Sequence, residues 1–137
     1  MLTIEASRTN SIPVLAAQLL GRLAARDLER IPLLFEPEAD LRALQPDGLL
    51  VGEGVEDIGG MFAMWFGDVD ELELIDSTSG WIGSRVQVRW LVRVRGDRFG
   101  SRPRLIEQCA YGIIGPTNRF ATMSLVCSGY LLEPIDG

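Results

Sequence analysis

The sequence predicts an α+β domain in which helices come first and an antiparallel sheet follows. Three observations carry this. Residues Ser84 to Tyr130 read as three long strands joined by two turns: SRVQVRWLVRVRG, RLIEQCAYGII and RFATMSLVCSGY. The stretches ahead of them show helical apolar spacing twice. Helices followed by a run of strands segregate onto one face of the sheet, which is the α+β arrangement.

Residues 1–10 read as a loosely held lead-in to one domain spanning 1–137. The first helix is expected from near Ser11, with Asn10 or Ser11 as cap and Pro13 in the first turn. Ile12, Leu15, Ala16, Leu19, Leu20 and Leu23 form its apolar stripe. Gly21 interrupts that stripe, as a glycine does where another element packs closely. Asp27 can cap a second short helix, DLERIPLLFEP, which Pro32 should shorten or bend and Pro37 should end. ADLRALQP sets Leu41 and Ala43 against Arg42 and Leu44 and reads as a short strand, closed by the turn signal PDG.

A helix is then expected from about Val55 to Phe66, with Val55, Ile58, Met61, Phe62, Trp65 and Phe66 at helical spacing. Gly59 and Gly60 inside it each cost roughly 1 kcal/mol against Ala, so this helix depends on tertiary packing. VDELELIDSTSG follows as a strand. In the next strand Val86, Val88, Trp90, Val92 and Val94 alternate with Arg85, Gln87, Arg89, Leu91, Arg93 and Arg95, giving one apolar and one cationic face. GDRFGSRP reads as a mobile loop. Beyond it Leu105, Glu107, Cys109, Tyr111 and Ile113 share one face, and Ile106, Gln108 and Ala110 the other. GPTN is the second turn, and the last strand runs to near Tyr130.

With 137 residues and 47% hydrophobic content the chain can bury one core. No apolar run approaches the ~20 residues that span a bilayer, and the first residues lack a signal-peptide pattern, so a cytoplasmic protein without membrane partners is expected. The formal charge is −6. All 13 basic residues are Arg, and His is absent. Without His the usual neutral-pH base and the commonest metal ligand are missing, and with them Ser-His-Asp and Cys-His catalysis. Cys109 and Cys127, on adjacent strands, are expected reduced and form no zinc site; neither metal nor cofactor is expected. The row Arg85, Arg89, Arg93, Arg95 suggests cross-strand salt bridges or a polar dimer face more than a nucleic-acid surface, given the net acidity.

The segments DLERIPLLFEPEADLRAL, GEGVEDIGGMFAMWFG, RWLVRVR, IEQCAYGII and MSLVCSGY together resemble the NTF2-like superfamily, over residues 11–131. Within it the likeness is to SnoaL-like proteins, with ketosteroid isomerase, limonene epoxide hydrolase and scytalone dehydratase as distant relatives. The resemblance implies a cone: N-terminal helices on the concave face of a curved mixed or antiparallel sheet, an apolar interior pocket, and homodimers through the outer sheet face.

The family's catalytic residues do not carry over. Ala43 stands where the isomerase base belongs, Ala110 falls near the acidic oxyanion donor, and the first helix has no Tyr. The dehydratase relies on His. In the epoxide hydrolase an Arg stands between two Asp residues, but Leu91 follows Arg89 at the required spacing. Asp40, near the SnoaL-type acid, precedes its strand and reads as a surface residue.

The remaining candidates are Arg42, Trp65, Trp90, Glu107, Tyr111 and Tyr130. If Glu107 faces the interior, desolvation would suit it to acid/base work with Tyr111. If it faces outward, it pairs with Arg89 or Arg93. Arg42 can hold an anionic group or pair with Asp40 or Glu38. Trp65 and Trp90 fit core positions and can line an aromatic site. Tyr111 and Tyr130 can offer hydroxyls to a ligand or bond the backbone. Two functions follow as expectations: binding of a small hydrophobic molecule in an interior pocket, with or without acid/base turnover of a polycyclic metabolite by Glu107, or a non-catalytic dimerisation module.

Overall fold

A computed structural model describes residues 12–134. Asn10 and Ser11, expected as caps, lie outside the described residues. Helix α1 spans Val14–Ala24 and buries Leu15, Ala16, Leu19 and Leu23, while Ile12 precedes it and is exposed. An L-residue, Arg26, takes the left-handed conformation at its end (φ 60°), and the amides of Arg26 and Asp27 close back on Leu23 and Arg22. The Arg26 guanidinium donates to the Asp70 carbonyl at 2.9 Å, tying this corner to the sheet. Gly21 is exposed, and a Cβ there would meet nothing within 4 Å, so close packing is not its reason.

The expected second helix is a 3-10 segment, Leu28–Leu34, ending as Phe35 turns extended. Strand β1 (Phe35–Gln45) starts earlier than its sequence suggests, because a bulge between Phe35 and Asp40 accommodates Pro37. Strand β2 (Gly48–Glu53) has no counterpart among the sequence expectations. Its Gly52 lies against helix α2 (Val55–Phe66), where a Cβ would come within 2.5 Å of Met61 Sδ. Gly54 at φ 87° makes the sharp entry to α2 that a side chain would resist. The helix bounds match the sequence reading, with Ile58, Met61, Phe62, Trp65 and Phe66 buried. Gly59 lets the Pro32 ring approach, since an added Cβ would sit 3.2 Å from its Cγ.

Strands β3 (Glu71–Ile82), β4 (Arg85–Arg95), β5 (Arg104–Ile114), β6 (Phe120–Cys127) and the two-residue β7 (Leu131–Leu132) complete one mixed sheet. The order is β2-β1-β6-β5-β4-β3, with β7 against the start of β5. Every pairing is antiparallel except β1 with β6. Both helices lie on one face, hereafter the inner face. Val86, Val88, Trp90, Val92 and Val94 point into it and are fully buried. Leu41, Ala43, Ile106, Ala110, Met123 and Leu125 join them. At roughly 25 cal/mol per Å² of apolar surface buried, this single core is the dominant stabilising term.

The GDRFGSRP segment is fastened, contrary to the mobile loop expected. It holds a short 3-10 turn, Asp97–Phe99, with Phe99 buried. Its Arg98 donates to the Met64 and Trp65 carbonyls at 3.3 and 2.9 Å, capping the negative end of α2.

Candidate functional site

The sheet register settles which candidates face the interior. Leu91 stands opposite Glu107 and Trp90 opposite Gln108. Since neighbours along a strand alternate faces, Glu107 lies on the outer face and Gln108 on the inner one. Glu107, Tyr111 and Arg42 therefore do not line an interior pocket. Glu107 is ion-paired with Arg89, whose other arm reaches Asp76 at 3.1 Å. These two acceptors raise the Arg89 pKa above its usual value, Glu107 first. A second outer pair joins Arg93 to Glu133, with Nε donating at 2.8 Å, and Glu73 adds a contact at 2.9 Å. Arg95 pairs with Glu71 at 3.3 Å.

Arg42 and Tyr111 do come together, but in a shallow hollow on the outer face, with Leu44, Leu49, Ser124 and Val126. This half of the outer face is apolar: Leu44, Leu49, Val51, Tyr111, Ile113 and Val126 are all exposed, Val126 by 56%. The Tyr111 hydroxyl accepts from the Cys109 thiol at 3.7 Å, and that bond is the main cause raising the Tyr111 pKa. Cys109 faces outward opposite Val126 while Cys127 faces inward opposite Gln108. Lying on opposite faces of the sheet, the two thiols cannot pair.

The interior that the resemblance made a pocket is filled by aromatic rings. Phe62 stands edge-on to Trp65 at 5.4 Å and beside Trp90 at 6.4 Å. Trp90 is thus a core residue, fully buried. Ala43 and Ala110 are both buried on the inner face in the same cross-strand row as Leu125. Gln108 is the buried polar side chain of the described core. Its Oε1 accepts from Trp90 Nε1 at 2.6 Å, and its Nε2 donates to Cys127 Sγ at 3.4 Å. Sequence parity had put Gln108 beside Ile106 and Ala110. The missing signal was which face of β5 meets Trp90, and that requires the register across the 96–103 connection.

Among several surface hollows, the one with the most apolar wall surface is a cleft of about 330 Å³ where the C-terminal end of α2 meets the ends of β1 and β6. Met64, Trp65, Tyr130, Cys127, Gln45 and Pro46 supply its walls, with Asp47 and Arg98 at its rim. Of the six candidates, Trp65 and Tyr130 are brought together here. The Tyr130 hydroxyl donates to the Trp65 carbonyl at 2.6 Å and accepts from Arg98 Nη2 at 2.9 Å. Burial raises the Tyr130 pKa, and the nearby Arg98 charge works against that rise. The guanidinium lies 4.7 Å from the Phe99 ring centre and 4.9 Å from that of Tyr130. Trp65 Nε1 donates to Gln45 Oε1 at 2.9 Å. Among the described residues no cluster of acidic, Cys or His side chains is arranged to hold a metal ion, and no helix is long and apolar enough to cross a membrane.

Solved structures share this architecture. A protein from Catenulispora acidiphila with a ketosteroid isomerase-like fold, in complex with trimethylamine, superposes with a TM-score of 0.67 at 12% identity, covering 87% of this chain and 88% of the other. A SnoaL-like protein from Shewanella denitrificans gives a TM-score of 0.62 at 15% identity, over 83% of this chain and 88% of that one. An LEH-like epoxide hydrolase from M. tuberculosis gives 0.60 at 12% identity, over 85% and 81%. No protein-family model matches the chain, and no curated protein matches it in sequence. The likeness is one of fold: the chain has the fold of the NTF2-like superfamily.

Proposed function

We propose that this protein is a small-molecule binder of the NTF2-like fold, whose hydrophobic ligand occupies the cleft between Trp65 and Tyr130. The observation that supports this is the exchange of open space between interior and rim. Aromatic rings fill the interior, and Ala110 and Ala43, where the resemblance would set an acid and a base, are buried there without a titratable group. The rim retains an apolar, aromatic concavity at the lower end of the roughly 300–1,000 Å³ typical of ligand sites. Its carboxylate, Asp47, is solvent-exposed, so the cleft favours binding over proton transfer. A one- or two-ring aromatic compound should raise the melting temperature by mass action. Met64→Arg, in the half-exposed part of the cleft wall, should abolish that rise. A rise that survives Met64→Arg would put the ligand elsewhere.

Two copies of the chain pair, in this reading, through the apolar half of the outer face. The Arg–carboxylate ladder on the other half already satisfies its own charges, whereas Leu44, Leu49, Val51 and Val126 stand unshielded. Val126→Asp should convert a dimer to a monomer in sedimentation. A wild-type chain that sediments as a monomer at high concentration would end the dimer reading and leave the binding reading untouched.

A further inference from the structure

An indole N–H can only donate, so its contact with Gln45 fixes which end of that carboxamide is oxygen. The opposite end, Nε2, carries two N–H donors and has no partner among the described residues. Apart from the Asp47 carboxylate at the rim, the other polar side chains around the cleft are occupied. Arg98 is engaged by Asp68, the Met64 and Trp65 carbonyls and Tyr130. The single hydroxyl hydrogen of Tyr130 goes to the Trp65 carbonyl. Cys127 Sγ receives N–H bonds from Gln108 and from the Gly129 backbone, both at 3.4 Å. An oriented donor pair is therefore what the walls leave for a ligand, with the Asp47 carboxylate at the rim repelling anions.

We infer that Gln45 is the specificity-determining residue of this cleft, and that it selects an uncharged apolar molecule presenting a hydrogen-bond acceptor to Nε2. The inference rests on the rim cleft being the binding site. Gln45 is only half-buried, so a ligand that covers Nε2 without offering an acceptor strips it of water at a cost, and discrimination comes from the mismatch as much as from the match.

Acetylnaphthalene, ethylnaphthalene and naphthoate, with binding read from the Trp65 indole N–H resonance, test this. That resonance is assigned by its disappearance in Trp65→Phe. Acetylnaphthalene should bind about two- to tenfold tighter than ethylnaphthalene, the range one net hydrogen bond supplies. Naphthoate should bind no tighter than the ethyl compound. In both Gln45→Glu and Gln45→Met the acetyl-to-ethyl ratio should fall to about one. Gln45→Glu keeps an acceptor for the Trp65 indole, so a lost ratio there reports the missing donors and not a displaced ring. A wild-type ratio of one, a ratio that survives both substitutions, or tightest binding by naphthoate overturns the role of Gln45 while leaving the cleft a binding site. If none of the three compounds shifts the Trp65 resonance, the binding reading falls together with it.

Discussion

The two faces of the β4–β5 pair are built by the same alternation of residues, yet they handle polar groups in opposite ways. Inside, Trp90, Gln108 and Cys127 form a short closed chain with no charge in it. Outside, Arg89 and Arg93 reach carboxylates across the sheet, Asp76 and Glu73 on β3, Glu107 on β5 and Glu133 just past β7, with Glu107 about half exposed (45% of its side chain). Burial makes an unmet polar group expensive, so the inner face carries few polar groups and pairs them. Water screens the outer face, so its many charges contribute little each. A carboxylate in an apolar-looking strand is thus not by itself a buried acid. The residue across the strand pair decides its surroundings.

The contrast can be broken most severely from inside. Trp90→Ala should lower stability by about 3–5 kcal/mol in denaturant titration, the usual result of emptying a close-packed aromatic site. A loss under about 1 kcal/mol would mean that the interior is not packed as described. Gln108→Leu should cost about 1–3 kcal/mol, because the volume is nearly kept while the Trp90 indole loses its acceptor. Calorimetry that finds Gln108→Leu neutral would show the inner chain to be dispensable.

From outside, acid is the sharper tool. Glu36 has its pKa lowered from 4.5, chiefly by the Thr117 side chain and then by its backbone N–H, which donates at 2.8 Å. Glu133 is lowered from 4.5, chiefly by Arg93. A carboxyl with a depressed folded pKa stabilises the fold above its unfolded value and loses that contribution as pH falls through the folded one. Unfolding midpoints should therefore hold above about pH 4.5 and decline below it, and Glu36→Gln with Glu133→Gln should flatten the decline. An unchanged acid limb in the double variant would assign the decline to other groups. Glu107→Gln should do least, leaving the midpoint within the scatter of ordinary surface substitutions. A large shift would make the outer ladder a cooperative unit.

How much of this was legible in the sequence varies with the kind of signal. The strict alternation of RVQVRWLVRVR gave both faces of β4, and the spacing from Val55 to Phe66 gave α2 to the residue. Period-two and helical patterns survive because every residue in them repeats one decision. Strand β2 was invisible because LLVGE is a half-exposed edge whose Gly52 answers to Met61 on another element. The early start of β1 was hidden by Pro37, which a bulge absorbs. The cleft was half legible: Trp65 and Tyr130 were candidates, while Gln45 and Arg98, at strand end and loop, carried no periodic signal. Whether Glu107 faced in or out turned on a register that no local pattern encodes.

The parallel pairing of β1 with β6 has a consequence for how the chain comes to fold. β1 meets β2 across a two-residue turn, but its other edge has no partner until synthesis has passed Phe120. Until then the aromatic side of α2 has β1, β2, the 3-10 segment and Trp90 of β4 to pack on, but not the β6 side of the core. Long sequence separation slows such a pairing, and an open edge beside uncovered aromatic surface is where nascent chains stick to one another. A polypeptide that stops in the Gly115–Arg119 turn would leave that edge of β1 open, so it should aggregate under conditions where the full chain stays dispersed.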